Sequence, residues 1–389
     1  MPSTSPRSEA SSPGVVDRLV SAETYHLGER AVHLARYHVR VPTREGSPLV
    51  QAAPDSPSWQ NRFFSAMRRQ PVPRLVVYVL LTLGFILLNS AVPWLEGGLP
   101  FGELDPYQLT FQVWMLVVLV AGDYYTGAAG SAIDQFRPAL GVGDETYAGI
   151  RAGYTQVPAR TGWILTAIAF AIAPWGLSFG RAYQQSGLSA VALYLSTAFM
   201  FSLVFFFMYF LWRIVRKTAD LYGQIQGINV FHLDPLYAFS GLSSRIGIFL
   251  IFAGVLSYLT NFVFTEAPNA AGFAFFVTIN LVVAIAAFLY PLHGIHLRLE
   301  AAREQVAQAN DLRLEAASRE LHRRADAREV VGMSELHHEI QAILELRREI
   351  GAISTWPWGP GTLRTFVTAL LVPIVLWVTQ QILERSLDL

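Results

Sequence analysis

Asp123 has the strongest claim on chemistry of any acid in this chain. It lies in LTFQVWMLVVLVAGDYYTGAAGSAI, an apolar stretch that begins near Tyr107. If that stretch runs as one span to Ile133, the carboxylate stands in hydrocarbon, where ionisable groups are costly and mark functional sites. If the span stops at Gly122, Asp123 marks its end, and Tyr124 and Tyr125 are interface anchors. Gly127, Gly130 and Ser131 would let a neighbouring helix approach closely. No other span carries an ionisable residue that could relay a proton.

Three further groups have spacing that could carry chemistry. His232 and Asp234, in VFHLDPLYAFSGL, fit an acid/base pair or a buried structural hydrogen bond, with no nucleophile or metal set beside them. His293 and His296 stand three residues apart, with Glu300 one turn on, and share a helical face. His337, His338 and Glu339 form another short cluster. Neither cluster completes a metal-ligand set, so no metal or other cofactor is expected. Pro174 and Pro373 fall inside apolar spans. Broken helices expose backbone groups at transporter sites, but prolines are also tolerated as simple kinks. No inverted repeat accompanies them.

The elements that position these residues are membrane helices. Of 389 residues, 52% are hydrophobic and 15% charged, against roughly 25% charged in soluble domains. The formal net charge is zero, which offers nucleic acid nothing. The absence of cysteine removes disulfides, thiol catalysis and thiolate metal sites. Seven runs have about the 20-residue length that crosses hydrocarbon. They are Leu75–Trp94, Tyr107 to Gly122 or Ile133, Gly162–Gly180, Leu188–Trp212, Ile246–Phe264, Ala270–Tyr290 and Phe366–Ile382. For the second of these, re-entry without crossing is the alternative.

Basic residues alternate with the spans. Arg62, Arg68, Arg69 and Arg74 precede the first. Arg137, Arg151 and Arg160 fall between the second and third, and Arg213, Arg216, Lys217 and Arg245 between the fourth and fifth. The other loops hold only Arg181, with Glu96, Glu103, Asp105 and Glu266. The positive-inside rule then predicts a protein of the cytoplasmic membrane, with a cytoplasmic N-terminus and an external C-terminus.

Outside the spans, Met1–Gly14 is rich in Ser and Pro and reads as a disordered tail. Residues 15–50 suggest a short helical element. Trp59, Phe63 and Met67 share one face of a short helix, either interfacial or a plain linker. Between the last two spans, Leu297–Val331 is a run of strong helix formers. Leu299, Ala302, Val306 and Ala309 make a seam, which skips and resumes at Leu314, Ala317 and Leu321. Gly332 breaks the run. A second helix follows, with Leu336, Ile340, Ile343 and Ile350 on a seam interrupted by Arg347, and Ser334 as its expected N-cap. Trp356 and Trp358 fit an interfacial belt.

The expectation is an all-α polytopic bundle of about seven spans with a cytosolic helical hairpin between the last two. Its parts are a cytosolic tail with an interfacial helix (1–71), a six-span bundle (72–293), the hairpin (294–361), and a last span with a short external tail (362–389). An Ala-rich seam pairs weakly by itself, so the hairpin suits a second copy, another protein or the chain's own loops; it also suits a solvated spacer. The leading expectation is a non-enzymatic membrane protein that works through assembly or signalling, with the bilayer and a protein as partners. A channel or transporter component is the alternative.

Overall fold

The computed structural model describes residues 56–177, 187–222, 233–264, 270–359 and 361–386. The expected N-terminal tail, the element at 15–50 and His232 lie outside them. The described residues form ten helices: α1 Trp59–Arg68, α2 Arg74–Glu96, α3 Pro106–Leu140, α4 Asp144–Thr155, α5 Ala159–Leu177, α6 Gly187–Tyr222, α7 Asp234–Phe264, α8 Ala270–Asp326, α9 Met333–Ala352 and α10 Thr362–Ser386. No strand occurs among them; one isolated bridge joins Pro57 to Pro158.

Six helices are long and apolar enough to cross a membrane: α2, α3, α6, α7, α8 and α10. A bundle in lipid keeps its apolar side chains outside as well as inside. Only 11% of the most apolar stretch of α10, and 22% of that of α2, is buried. Leu80 and Leu87 of α2 and Leu371 and Val375 of α10 stand exposed, a surface that water would not tolerate over this length.

The structure answers two of the open questions on spans. Helix α3 runs unbroken through Gly122, Gly127 and Gly130, so 107–133 is part of one long helix and has no re-entrant turn. The expected third span falls on α5, of which 19 residues, Ala159–Leu177, are described. It does not join the six. Pro174 and Pro373 both sit inside continuous helix, as does Pro291 of α8, so neither opens the backbone.

The described residues fall into two compact units. The larger holds α1–α7, residues 270–299 of α8, and α10. Its core is aromatic: Phe136, Tyr222 and Phe239 meet edge to face, and Tyr125, Phe207 and Phe249 form a second cluster. Such edge-to-face pairs add directional preference to the burial of large rings. On α7, Gly254 makes room for α8, and Gly247 for both α8 and the Phe366 ring of α10. A Cβ at Gly247 would lie 3.0 Å from the Ala284 carbonyl, and one at Gly254 would lie 3.1 Å from Asn280 Cβ. Small residues at such contacts let membrane helices approach closely.

The smaller unit is Glu300–Ile353, the charged part of α8 with α9. Ala302 and Val306 pack on Ile350, flanked by Leu346 and Ile353. Asp311 meets Arg347 at 3.2 Å. These pairings run in opposite directions along the two helices. The turn between them uses Arg328 and Gly332 at positive φ. Gly332, not Ser334, stands at the cap position of α9, because left-handed backbone is needed there and glycine adopts it without strain.

Candidate functional site

Helix α1 begins the site. Ser58 accepts from Asn61 N at 3.2 Å, a standard N-cap. The helix then docks by its polar side. Gln60, Asn61 and Phe64 are buried, whereas Trp59, Phe63 and Met67 are only half-buried. The apolar stripe of the sequence is therefore not the docking face. The reason lies in backbone groups at the junction of α4 and α5, which helix ends leave unsatisfied. Asn61 Oδ1 accepts from Val157 N at 2.8 Å, and its Nδ2 donates to Thr155 O at 3.2 Å. Ser58 N donates to Val157 O at 2.9 Å. Gln60 Nε2 reaches Gly162 O at 3.3 Å and Thr166 Oγ1 at 3.2 Å, and Thr166 lies 3.0 Å from Ser202 of α6. A Cβ at Gly122 would come 2.8 Å from Phe64 Cζ, so that glycine of α3 receives the ring.

Asp123 sits where α1, α2 and α3 meet. Its side chain is 11% exposed. Arg68 Nε donates to Oδ1 at 2.5 Å and Arg74 Nη1 to Oδ2 at 3.1 Å. Arg68 Nη2 also donates to the Asp123 carbonyl at 3.1 Å. The acid thus lies inside a long helix, as one expectation had it, and is held at the basic end of α2, as the other did. Two guanidiniums occupy its oxygens. Tyr124 is half exposed, and Tyr125 is buried with its hydroxyl donating to Arg245 O.

Beside this junction opens a cleft of about 230 Å³, lined by Asn61, Ser65, Arg68, Thr126, Arg151 and Gln156 among others. Arg151 is held by Asp134 in a bidentate pair at 2.8 and 3.2 Å. Tyr147 also donates to Asp134; burial first, then that carboxylate, pushes its phenol above the ordinary value. Every charge around the cleft is paired. The cleft offers polar contacts but no nucleophile with a base beside it.

The remaining candidates scatter. Pro174 is exposed on α5. Asp234 opens α7, and its side chain, like the whole of His232, is outside the description. His293 is exposed, while His296 stacks on Trp356 at 4.0 Å and its Nδ1 lies 3.1 Å from Thr355 O. Trp356 stacks in turn on Trp358, which meets Phe288. No group of three His, Cys, Asp or Glu residues suited to a metal occurs among the described residues. Of the seam, Leu336 and Ile350 are buried, and Ile340 and Ile343 are half-buried.

The sequence reading missed two sets of residues. One is the α1 anchor, Ser58, Gln60 and Asn61; the N-cap signal was readable, but the partners of Gln60 lie more than a hundred residues away. The other is Asn310. The inner face of α8 runs Leu299, Ala302, Val306, Asn310 and Ala317, all buried, whereas Ala309 is exposed. A polar residue completes the period where an apolar count found a skip.

Helices of this length and apolarity, with apolar outer surfaces, define a helical membrane protein. Comparison of the chain with protein-family models, curated proteins and solved structures finds no match.

Proposed function

We propose that this is a non-enzymatic integral membrane protein that acts by assembling with another chain, a second copy or a distinct subunit, through residues 300–353. The observation that carries this reading is the make-up of that unit. It has its own registered core, yet a small one, built on Ala302, Val306 and Ile350. Large aliphatic side chains remain outside: Leu312 is 66% exposed, and Val330 and Val331 at the turn are 83% and 90% exposed. Ordered helices with so little core are commonly completed by a partner, as in helix-in-groove recognition.

The proposed topology keeps seven crossings, with residues 300–353 and the N-terminus in the cytoplasm. Helix α5 is the seventh in this proposal. Its first turn is bound to Ser56 and to Gln60 of α1. The next helix, α6, starts on Glu96 at the far end of α2, which accepts from Leu188 N at 2.8 Å and Ser189 N at 2.9 Å. The chain therefore passes from one end of α2 to the other along α5, whose 19 residues extend about 28 Å, close to the hydrocarbon thickness. Without that crossing, Arg213, Arg216 and Lys217 would sit outside, against the charge rule.

The test is cross-linking from single cysteines at Leu312, Val330 and Val331 in intact membranes; the chain has no cysteine of its own. A discrete cross-linked species, lost when Val330 and Val331 become Asp, supports assembly. A 43.2 kDa monomer at every position refutes it.

The transport reading has one observation in its favour. Asn89 and Ser196 lie level, each seven residues inward from the Glu96–Ser189 contact. Asn89 Oδ1, Ser196 Oγ, Gln108 Nε2 and Gln112 Oε1 are buried on the mutually packed helices α2, α3 and α6, without a partner among the described residues. Such groups in a membrane interior mark polar pathways. Ion flux into vesicles carrying the purified chain, abolished in Gln112→Leu, would replace the assembly reading.

A further inference from the structure

A groove of about 540 Å³ lies between α6, α7 and α8. Its floor and walls are apolar: Leu211, Val215, Leu250, Val283, Ala286 and Ala287. All three helices belong to the set able to cross a membrane, so the groove opens toward acyl chains and not toward water. From Met208 to Asp220 it follows α6 for twelve residues, about 18 Å, room for much of a lipid tail.

One end of the groove is not apolar. Arg216 and Asp220 both line it, one turn apart on the same helical face. Both are exposed; no contact ion pair to either occurs among the described residues, and Asp220 also feels the Lys217 ammonium three residues before it. The Arg216 guanidinium lies over the Trp212 ring, 5.3 Å from its centre. That contact holds the cation at the rim and leaves its N–H edge free. Trp212 and Tyr290, 52% and 59% exposed, flank the same end, where amphipathic rings settle at headgroup depth.

A cation and an anion one turn apart, at the mouth of an apolar groove, complement a ligand with a phosphate and an amine joined to a hydrocarbon tail. We propose that the groove is a binding site for a zwitterionic aminophospholipid of the phosphatidylethanolamine type. The phosphate accepts from Arg216, the primary ammonium donates to Asp220, and one acyl chain fills the space over Ala286 and Ala287. A phosphatidylglycerol headgroup would leave Asp220 facing a neutral glycerol. A phosphatidylcholine headgroup has no N–H to donate. The site stands independently of the assembly reading.

The full chain, purified in mild detergent, is incubated with vesicles of equal phosphatidylethanolamine, phosphatidylglycerol and phosphatidylcholine. It is then repurified, and its retained lipid is identified by native mass spectrometry. Phosphatidylethanolamine is expected in excess over the other two. Loss of a charge-assisted phosphate contact in Arg216→Gln lowers retention about tenfold. Asp220→Asn removes the preference over phosphatidylcholine, and Ala287→Phe, which fills the groove, displaces all three. Both charged positions are exposed, so neither variant threatens folding. Retention in proportion to supply overturns the proposal. So does a preference for phosphatidylglycerol that Asp220→Asn leaves unchanged, or binding that Ala287→Phe does not affect.

Discussion

Replacing Asn310 by Leu should strengthen the pairing of α8 with α9 and at the same time loosen its register. Asn310 is 1% exposed on the inner face of α8. Its Nδ2 donates to the Ile343 carbonyl at 3.2 Å, while its Oδ1 has no partner among the described residues. One neutral hydrogen bond contributes about 1 kcal/mol net, which is the expected cost of Asn310→Ala. Leu at the same place gives up that bond and gains a buried aliphatic side chain, worth about 1.5–3 kcal/mol. The balance favours Leu by roughly 1 kcal/mol, and more if the unpartnered oxygen carries a desolvation cost. What is lost is the contact that only one alignment satisfies, since a buried Asn in a helical seam sets register where aliphatic side chains do not. The assay is the distance between spin labels on cysteines at Glu304 and Glu349, both exposed and on opposite helices of the pair. The native chain should give one narrow distance. Asn310→Leu should raise the melting temperature and add a population shifted by about one turn, near 5.4 Å. A narrow, unshifted distribution in Asn310→Leu would refute the reasoning, because register would then be set by Ile350 and the Asp311–Arg347 pair.

Three other outcomes follow from the larger unit. Gly122→Ala places a methyl 2.8 Å from Phe64 Cζ and should cost about 1–3 kcal/mol by overpacking; Gly127→Ala, with nothing within 4 Å, should be neutral in the same thermal scan. Asp123→Asn leaves the half-buried Arg68 without its carboxylate and should cost about 1–3 kcal/mol. Arg74→Gln, at a side chain 57% exposed, should cost under about 1 kcal/mol. Equal losses in the two would show that Arg68 is not the partner that matters. For topology, single cysteines at Asp144 and Ser386 should react with an impermeant thiol reagent from opposite sides of the membrane if α5 crosses. Reaction from one side would mean six crossings.

Much of the architecture was legible in the residues because apolar length is a local property. Runs near 20 residues announced the bundle, and strong helix formers announced α8 and α9; both signals come from neighbouring residues and need no partner to be read. The limits of that reading are equally physical. Continuity through Pro291 and Pro174 was not readable, because neighbouring helices decide whether a proline kinks or ends a helix. The docking face of α1 was not readable. An apolar stripe predicts burial only when the competing polar face has nothing to bond, and Asn61 finds its partners in backbone groups near Val157, reached only once α5 has packed. Asp123 shows the division most clearly. The sequence put an acid either inside an apolar span or at its end; the guanidiniums that hold it, Arg68 and Arg74, are 55 and 49 residues away, and only the tertiary structure brings them to it. Asn310 is the same case in the smaller unit, a polar residue whose place in the seam was set by the helix opposite.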